Sequence, residues 1–429
     1  MTLLSLRFTF QFGLAAVVCG AVVKNGSTCT VTPLNTGNTS DDTPQILQAF
    51  QQCGKDAFIN FLEGTYNIRQ VMDTTTLENC DISIYGTFLW SADNLQYWIA
   101  NSLPVVYDGV TTAWRLGGTN VTMRGFGKAL FNGNGQAWID ANRDGSNMKG
   151  RPISLTIWEG TNILVDGITW RQAQFWHTFV AHSQNVTMTN LDMSTTSDSQ
   201  WSAVNTDGFD SWNSADVTLA NWTVTSGDVK KQIIIMHRAK SSKEKKTDCI
   251  AVKGNSTNIS VKNVTCYESG CTTIGSVGNN AVDFVDNVLF EDIRCIHSSN
   301  AAWIKTYPAQ SGHVNNVTFR NYEIQDVNQP IYVTSCIYSY TNCDSSRLPI
   351  TDITWENITG TSQYDVAAAL HCSSAAPCQD LSFSGINITA PGGGQEKVLC
   401  SNIANQATSG LDCTGTCPGS WPQQLSGNQ

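Results

Sequence analysis

A short pattern recurs along most of this chain and constrains its fold more than any other feature. Each copy begins with Asn or Asp and then alternates apolar and polar residues. Alternation predicts a strand with one buried face, and the leading Asn or Asp tolerates the backbone angles of a turn. The copies are NILVDGITW from Asn162, NVTMTNLDM from Asn185, DVTLANWTV from Asp216, NISVKNVTC from Asn258, NVLFEDIRC from Asn287, NVTFRNYEI from Asn316, DITWENITG from Asp352 and DLSFSGINI from Asp380.

The spacing of these copies indicates a solenoid. Successive copies begin 23, 31, 42, 29, 29, 36 and 28 residues apart. Recurrence with this period is typical of coils that bury their inner faces against one another. Because the repeats read as strands with no helical periodicity between them, we predict an all-β, single-domain parallel β-helix. A β-sandwich is the alternative, but it would need strands about every 8–12 residues with hairpin signals, which are scarce here.

The open end of a solenoid has to be covered, and the segment DDTPQILQAFQQC supplies a short N-terminal capping helix. Thr43 is predicted to be its N-cap, and Pro44 suits the first helical position. Four apolar residues then fall on one face of this helix: Ile46, Leu47, Phe50 and Cys53.

The N-terminus has the features of an export signal. Arg7 precedes an apolar stretch that is followed by small residues at Cys19, Gly20 and Ala21. We therefore predict a signal peptide over residues 1–21 and a mature domain over 22–429, with an irregular tail from about residue 401. A membrane anchor is the alternative, but the apolar run is shorter than the ~20 residues that a span needs.

Cysteines and glycosylation sequons also favour a secreted, extracellular glycoprotein. Without Cys19 the mature chain keeps 15 − 1 = 14 cysteines, an even number that suggests disulfides. Candidate pairs are Cys336/Cys343, Cys372/Cys378 and Cys249/Cys266. Asn-x-Ser/Thr occurs at Asn25, Asn38, Asn120, Asn185, Asn221, Asn255, Asn258, Asn263, Asn316, Asn357 and Asn387. No Cys/His cluster has zinc spacing, and we expect neither a metal nor a cofactor.

The net charge of −10 argues against nucleic acid and anionic membranes as partners. An acidic polymer would also be repelled by most of the surface, so a site for uronic acids needs its own local cations. We expect the protein to act as a monomer.

The 42-residue interval contains a segment of foreign composition, VKKQIIIMHRAKSSKEKKT, from Val229 to Thr247. It holds seven Lys or Arg residues and a single acid, Glu244. Removing these 19 residues shortens the interval to 42 − 19 = 23, equal to the first interval. Two explanations stay open: a basic loop that attracts an acidic polymer, or an artefact such as a translated intron of 19 × 3 = 57 nucleotides. Sequencing the mature transcript distinguishes them.

Three aspartates lie around this segment. Asp207 lies in NTDGFD, Asp228 ends SGD, and Asp248 opens DCIAVKGN. With the segment removed, Asp228 and Asp248 become adjacent, and Asp207 precedes Asp228 by 21 residues, close to one coil. Clustered carboxylates repel each other's charge, so one keeps its proton and can protonate a leaving group while the others activate water. Inverting glycosidases use this arrangement, with carboxyl groups roughly 6.5–9.5 Å apart.

These motifs resemble glycoside hydrolase family 28, the polygalacturonase family. The resemblance covers nearly the whole mature chain and implies a right-handed parallel β-helix that hydrolyses the pectin backbone with inversion. It implies that Asp228 is the general acid, that Asp207 and Asp248 position the water, and that Lys305 binds a substrate carboxylate. The motifs in chain order are DDTPQILQAF, GNGQAW at 133–138, NTDGFD, the split GD…DC, IGSVG at 274–278 and IKT at 304–306.

Two positions depart from polygalacturonases. Their Gly-His-Gly is Ser269-Gly270-Cys271 here, and their Arg-Ile-Lys is Trp303-Ile304-Lys305. Both changes remove groups that serve galacturonate, and Trp303 suits either stacking on a less polar sugar face or packing in the core. Because rhamnogalacturonan hydrolases of the same family have Gly-Gly-Cys at the first position, we predict rhamnogalacturonan as the substrate. Exo-acting hydrolysis of homogalacturonan, a polysaccharide lyase and an inactive pectin binder are the alternatives.

Overall fold

The computed structural model describes residues 21–34, 37, 39–145, 147–227, 247–338, 342–394 and 396–417. These residues form a stack of β-coils, and nearly all of the strands belong to one continuous sheet. Apart from β1 with β2 and β7 with β8, whose ranges follow, the strand pairings of the described residues are parallel. The architecture is the predicted parallel β-helix, with the right-handed connections that parallel strands adopt.

The elements follow one another in a regular order. The N-terminal part comprises β1 Val22–Asn25, β2 Thr28–Val31, α1 Thr43–Cys53, β3 Lys55–Phe61, β4 Thr65–Ile68, β5 Met72–Ile84, β6 Thr87–Trp90, α2 Leu95–Asn101, β7 Leu103–Pro104, β8 Thr111–Thr112, β9 Trp114–Asn132, α3 Gly135–Asn142 and β10 Pro152–Ile153. The middle comprises β11 Leu155–Arg171, β12 Thr178–Ala181, β13 Gln184–Thr195, β14 Phe209–Trp212, β15 Ala215–Ser226, β16 Ile250–Val252, β17 Ser256–Tyr267, β18 Thr272–Val277, β19 Phe284–Ile296 and β20 Asn300–Thr306. The last part comprises β21 His313–Val327, β22 Gln329–Thr334, β23 Ile350–Ser362, β24 Val366–His371, β25 Gln379–Ser384, β26 Asn387–Thr389 and β27 Lys397–Ser401, with 3-10 helices at Cys343–Ser345, Pro391–Gly393 and Gln406–Thr408.

The sequence repeats are confirmed as the long strands of successive coils. All eight copies lie in strands, and the first residue of each has a φ between 52° and 59°. Asn and Asp tolerate this left-handed conformation better than other residues that carry a Cβ, which explains their place in the pattern. Their side chains also form ladders: Asn185 Nδ2 donates to Asn162 Oδ1 at 2.7 Å, and Asn162 Nδ2 donates to Asn120 Oδ1 at 2.8 Å.

The core is built from side chains that repeat once per coil. One inward position forms a continuous row through paired strands: Val165, Met188, Leu219, Val261, Phe290, Phe319, Trp355 and Phe383. Its last members stack face to face, with ring centroids 5.2, 5.9 and 4.5 Å apart. Each fully buried aliphatic or aromatic side chain contributes roughly 1.5–3 kcal/mol, so the row fixes the register between coils.

The predicted capping helix is confirmed as α1, which packs its buried residues on the first coil. Its N-cap is Asp42, and the prediction of Thr43 was wrong by one residue. The Asp42 carboxylate does not cap the helix; it accepts from the backbone N–H groups of Leu34 and Asn67 at 2.8 Å each. Thr43 therefore becomes the first helical residue, and its hydroxyl accepts from the backbone N–H of Arg69 at 3.0 Å.

Disulfides reinforce the coils. The three predicted pairs are formed. Three further pairs join Cys29 to Cys53, Cys271 to Cys295 and Cys400 to Cys413. Cys80 and Cys417 carry free thiols in the described part of the chain. None of the helices in the described ranges is long and apolar enough to cross a membrane.

Candidate active site

The short strands β12, β14, β16, β18 and β20 stack in parallel and form one face of the helix. Alternate residues of a strand point to opposite sides, and Phe209, Ile250 and Ile304 point into the core. The residues between them therefore point outwards, and they include Asp210 and Lys305. This face collects the charged side chains that the sequence analysis singled out.

Asp207 and Asp248 precede β14 and β16 on adjacent coils. Their side chains are close because the Gly208 N–H donates to the Asp248 carbonyl at 3.3 Å, which stacks the two segments. Both residues are nearly buried, with exposures of 4% and 8%. Asp228, the predicted general acid, lies outside the described residues, as do the insertion residues 229–246.

Asp207 holds its proton more tightly than an ordinary aspartate does. Burial, and then the negative charge of Asp248, raise the pKa of Asp207 to about 6, although Lys253 opposes this shift. Thr247 lies at its side and donates from Oγ1 to Asp207 Oδ1 at 2.5 Å. A carboxyl with this pKa exchanges its proton in the mildly acidic range, as acid–base chemistry requires.

The backbone of Asp207 is fixed by His177. The His177 backbone N–H donates to the Asp207 carbonyl at 2.8 Å, and its ring Nδ1 lies 3.0 Å from the same oxygen. Burial lowers the pKa of His177 to about 4, so the ring is neutral near pH 6. A carbonyl can only accept, so Nδ1 carries the hydrogen and Nε2 accepts from the Thr195 hydroxyl at 3.0 Å.

Asp248 is fixed through both carboxylate oxygens. Lys305 Nζ forms an ion pair with Oδ2 at 2.6 Å, and Thr273 Oγ1 donates to Oδ1 at 3.1 Å. Burial lowers the pKa of Lys305, but the charge and hydrogen bond of Asp248, together with Tyr338, outweigh it, and the pKa is raised. Gly270 leaves room for this arrangement, because a Cβ there would lie 2.5 Å from Asp248 Oδ1.

Lys305 and Trp303 extend the site along β20. Lys305 Nζ lies 4.5 Å from the centroid of the Trp303 ring, and Trp303 stacks on Tyr332 with centroids 5.6 Å apart. Trp303 is half-buried and packs on a small cluster of Tyr332, Val366 and Ala369 outside the main core. Trp303 therefore packs in part, as one interpretation expected, and the stacking of its remaining exposed surface on a sugar stays a prediction.

A second buried cation, Lys253, was missed by the sequence analysis. Its Nζ forms an ion pair with Asp210 Oδ1 at 2.9 Å and lies 5.0 Å from the Trp176 ring. Burial lowers the pKa of Lys253, but Asp210, Tyr107 and the two aspartates Asp207 and Asp248 together outweigh it and raise the pKa well above its ordinary value, so the ammonium stays charged. The sequence contained a signal for this pair. In NTDGFD and DCIAVKGN, Asp210 and Lys253 alternate with core residues, and Asp207 and Asp248 precede them in the same motifs.

Aromatic side chains line the same face on the other side of Asp207. Tyr107 lies 5.3 Å from Trp212 and 5.8 Å from Phe179, and Trp176 lies 5.5 Å from Phe179. Tyr107 and Trp212 are half-buried. The aspartates therefore lie between two aromatic surfaces, each with a lysine beside it.

The raised pKa of Asp207 predicts a specific pH dependence of stability. A carboxyl whose pKa is about 6 in the folded state, against 3.8 otherwise, destabilises the fold as pH rises from about 4 to 6, by about 3 kcal/mol in total. We expect Asp207→Asn to unfold at higher urea than the parent at pH 7, with the difference vanishing near pH 4. Asp216→Asn is the control, since Asp216 is a turn residue at positive φ. Parallel pH profiles for the parent and Asp207→Asn would contradict the assignment.

Comparisons with known proteins identify the family and agree with the fold. The family described as glycosyl hydrolases family 28 matches residues 107–409. An α-L-rhamnosidase from Aspergillus niger is 31% identical over 92% of this chain and 93% of its own length. An exopolygalacturonase from Cochliobolus carbonum is 32% identical over 94% of this chain and 89% of its own. The crystal structure of an endo-xylogalacturonan hydrolase from Aspergillus tubingensis superposes with a TM-score of 0.78 at 28% identity, covering 91% of this chain and 100% of that one.

Proposed function

The chain belongs to glycosyl hydrolases family 28, whose members hydrolyse glycosidic bonds of pectin, and from this premise we propose that it hydrolyses the rhamnogalacturonan backbone. The observation that carries the proposal is the pair Asp207 and Asp248, two buried carboxyl groups on adjacent coils in different electrostatic settings. Carboxyl groups placed in this way can orient an attacking water and take its proton.

The proposed reaction is inverting hydrolysis. The general acid donates its proton to the glycosidic oxygen while a carboxylate takes a proton from the attacking water, so the anomeric configuration inverts. By motif, the acid is Asp228, and Asp207 and Asp248 position the water. The ion pair of Asp248 with Lys305 supports a role for Asp248 as an oriented, charged acceptor. Lys305 also lies near enough to the two aspartates to attract a uronate carboxylate of a substrate bound there.

The choice of rhamnogalacturonan rests on the surroundings of the aspartates. Both nearby lysines, Lys253 and Lys305, already pair with carboxylates of the protein. The site therefore has little positive charge left to bind a polymer made only of uronates. The aromatic surfaces on either side, Trp303 among them, suit a sugar with a methyl group, as rhamnose has. The rhamnosidase relative supports the same choice.

Two other functions have specific support. The exopolygalacturonase relative favours exo-acting hydrolysis of homogalacturonan. The segment 229–247, which separates Asp228 from Asp248, favours a pectin-binding β-helix without turnover. We also propose that the protein is exported as a monomer, and the six disulfides among the described residues support an oxidising compartment.

Product analysis tests the proposal. The full chain and a form lacking residues 229–247 are incubated with rhamnogalacturonan, homogalacturonan and xylogalacturonan, and products are separated by chromatography and followed by NMR. We expect the deletion form to cut rhamnogalacturonan fastest and to release products of inverted anomeric configuration. Monomeric galacturonate from homogalacturonan alone would instead identify an exopolygalacturonase. Unsaturated, chelator-sensitive products would identify a lyase, and binding without products in both forms would identify a pectin binder.

A further inference from the structure

The described residues on both sides of the connection from β15 to β16 lie next to the following coil. The pairing of β15 with β17 ends at Thr225 and Tyr267, and the pairing of β16 with β18 begins at Ile250 and Thr272. Residues 268–271, four in number, join the two partners in the next coil. The described residues between Thr225 and Ile250 are 226, 227 and 247–249, which makes 2 + 3 = 5. Residues 226, 227 and 247–249 therefore lie beside residues 268–271 of the next coil.

Hydrogen bonds hold both ends of this connection in the coil. The Gly227 N–H donates to the Thr195 carbonyl at 3.2 Å, and the Gly270 N–H donates to the Thr247 carbonyl at 2.6 Å. The two ends also touch, since Ser226 Oγ donates to Thr247 Oγ1 at 3.2 Å. Thr247 thus occupies the coil position directly before Asp248, beside the end of β15.

The side chain at this position points to the candidate catalytic pair. Thr247 is 1% exposed, and its Oγ1 lies 2.5 Å from Asp207 Oδ1. Aspartate at the same place would bring a third carboxyl group within hydrogen-bond distance of Asp207 and next to Asp248. The position therefore has the direction, burial and neighbours that a proton donor of this site requires.

We propose that Thr247 occupies the position of the third carboxyl group, so that a hydroxyl lies there beside Asp207 and the full chain hydrolyses its polymer more slowly than a form with a carboxyl group at this place. The chemical role of this position rests on the proposed hydrolysis, whereas the placement of the Thr247 side chain does not. A threonine hydroxyl does not release a proton near neutral pH, so it cannot replace the acid. The hydroxyl donates a hydrogen bond to the Asp207 carboxyl instead, so this buried polar group has a partner.

The pH dependence of stability tests the placement without using activity. Thr247→Asp and Thr247→Asn are made in the full chain, and their thermal unfolding midpoints are compared between pH 4 and pH 7. A buried carboxyl beside Asp207 must have a raised pKa, so we expect Thr247→Asp to fall progressively below Thr247→Asn by a few degrees as pH rises through this range. Asn has nearly the shape of Asp without the charge. Coincident profiles of the two variants would overturn the placement.

Turnover of the same variants tests the role of the position. We expect Thr247→Asp to cut the preferred pectic polymer at least tenfold faster than Thr247→Asn and the parent. If the pH signature appears but turnover does not rise, while the form lacking 229–247 is active, the catalytic role of the position is wrong and the proposed hydrolysis stands. If none of these forms cuts any of the three polymers, the proposed hydrolysis fails.

Discussion

Deletion of residues 229–247 is expected to raise kcat/KM on the preferred pectic polymer at least a hundredfold over the full chain. The deletion joins Asp228 directly to Asp248, which puts a carboxyl group at the coil position that Thr247 holds against Asp207. A positioned general acid contributes about 10²–10⁴-fold, and even a ~1 Å misplacement costs about a hundredfold. Reducing ends released over time from rhamnogalacturonan measure the effect.

The chain offers a matched control for this deletion. Removing residues 228–246 takes out the same number of residues, 19, and closes the coil at the same point, but it leaves Thr247 instead of Asp228 before Asp248. The two products differ at a single residue. We expect the control to unfold at a similar temperature and to remain as slow as the full chain. Equal activity of the two deletion forms would show that the segment acts by obstruction and not by displacing an acid.

The architecture was predictable because local sequence features specify it and recur in successive coils. Each coil repeats the alternation of apolar residues and the Asn or Asp at positive φ, so eight independent copies indicate the same strand. The helices α2 and α3 carry no such repetition and were not predicted. The N-cap was misplaced for a related reason: the Asp42 carboxylate is used by the backbone of Asn67, 25 residues away, and no local pattern records that contact.

The candidate site was predictable only in part, because its charges are paired over long separations. Stacking on adjacent coils was enough to predict that Asp207 and Asp248 come together. The partner of Lys305 could not be predicted, since Asp248 lies 57 residues earlier in the chain. The role of Thr247 could not be predicted either. The composition of the sequence places Thr247 in the inserted segment, whereas the structure shows it as a buried residue of the coil.

Asp248→Asn in the form lacking 229–247 is expected to lower kcat by about 10³-fold or more. The substitution keeps the shape of the side chain but removes its charge, so it can no longer accept a proton from the attacking water. Asp216→Asn in the same form is the control and should change kcat less than twofold, since it makes the same chemical change at a turn on a different strand. Retained turnover in Asp248→Asn would mean that this carboxylate has another role.

Stability has to be separated from chemistry in this experiment, because Asp248→Asn leaves Lys305 buried without its ion-pair partner. Breaking such a pair costs about 3–5 kcal/mol, and Lys305 is only 5% exposed. We therefore expect the single variant to unfold at a lower temperature. A double variant, Asp248→Asn with Lys305→Met, removes both charges and should regain much of this stability while staying inactive. Recovery of turnover in the double variant would place the defect in the fold. A stable double variant whose kcat stays low at saturating substrate assigns the defect to the missing carboxylate, since weaker substrate binding without Lys305 raises KM instead.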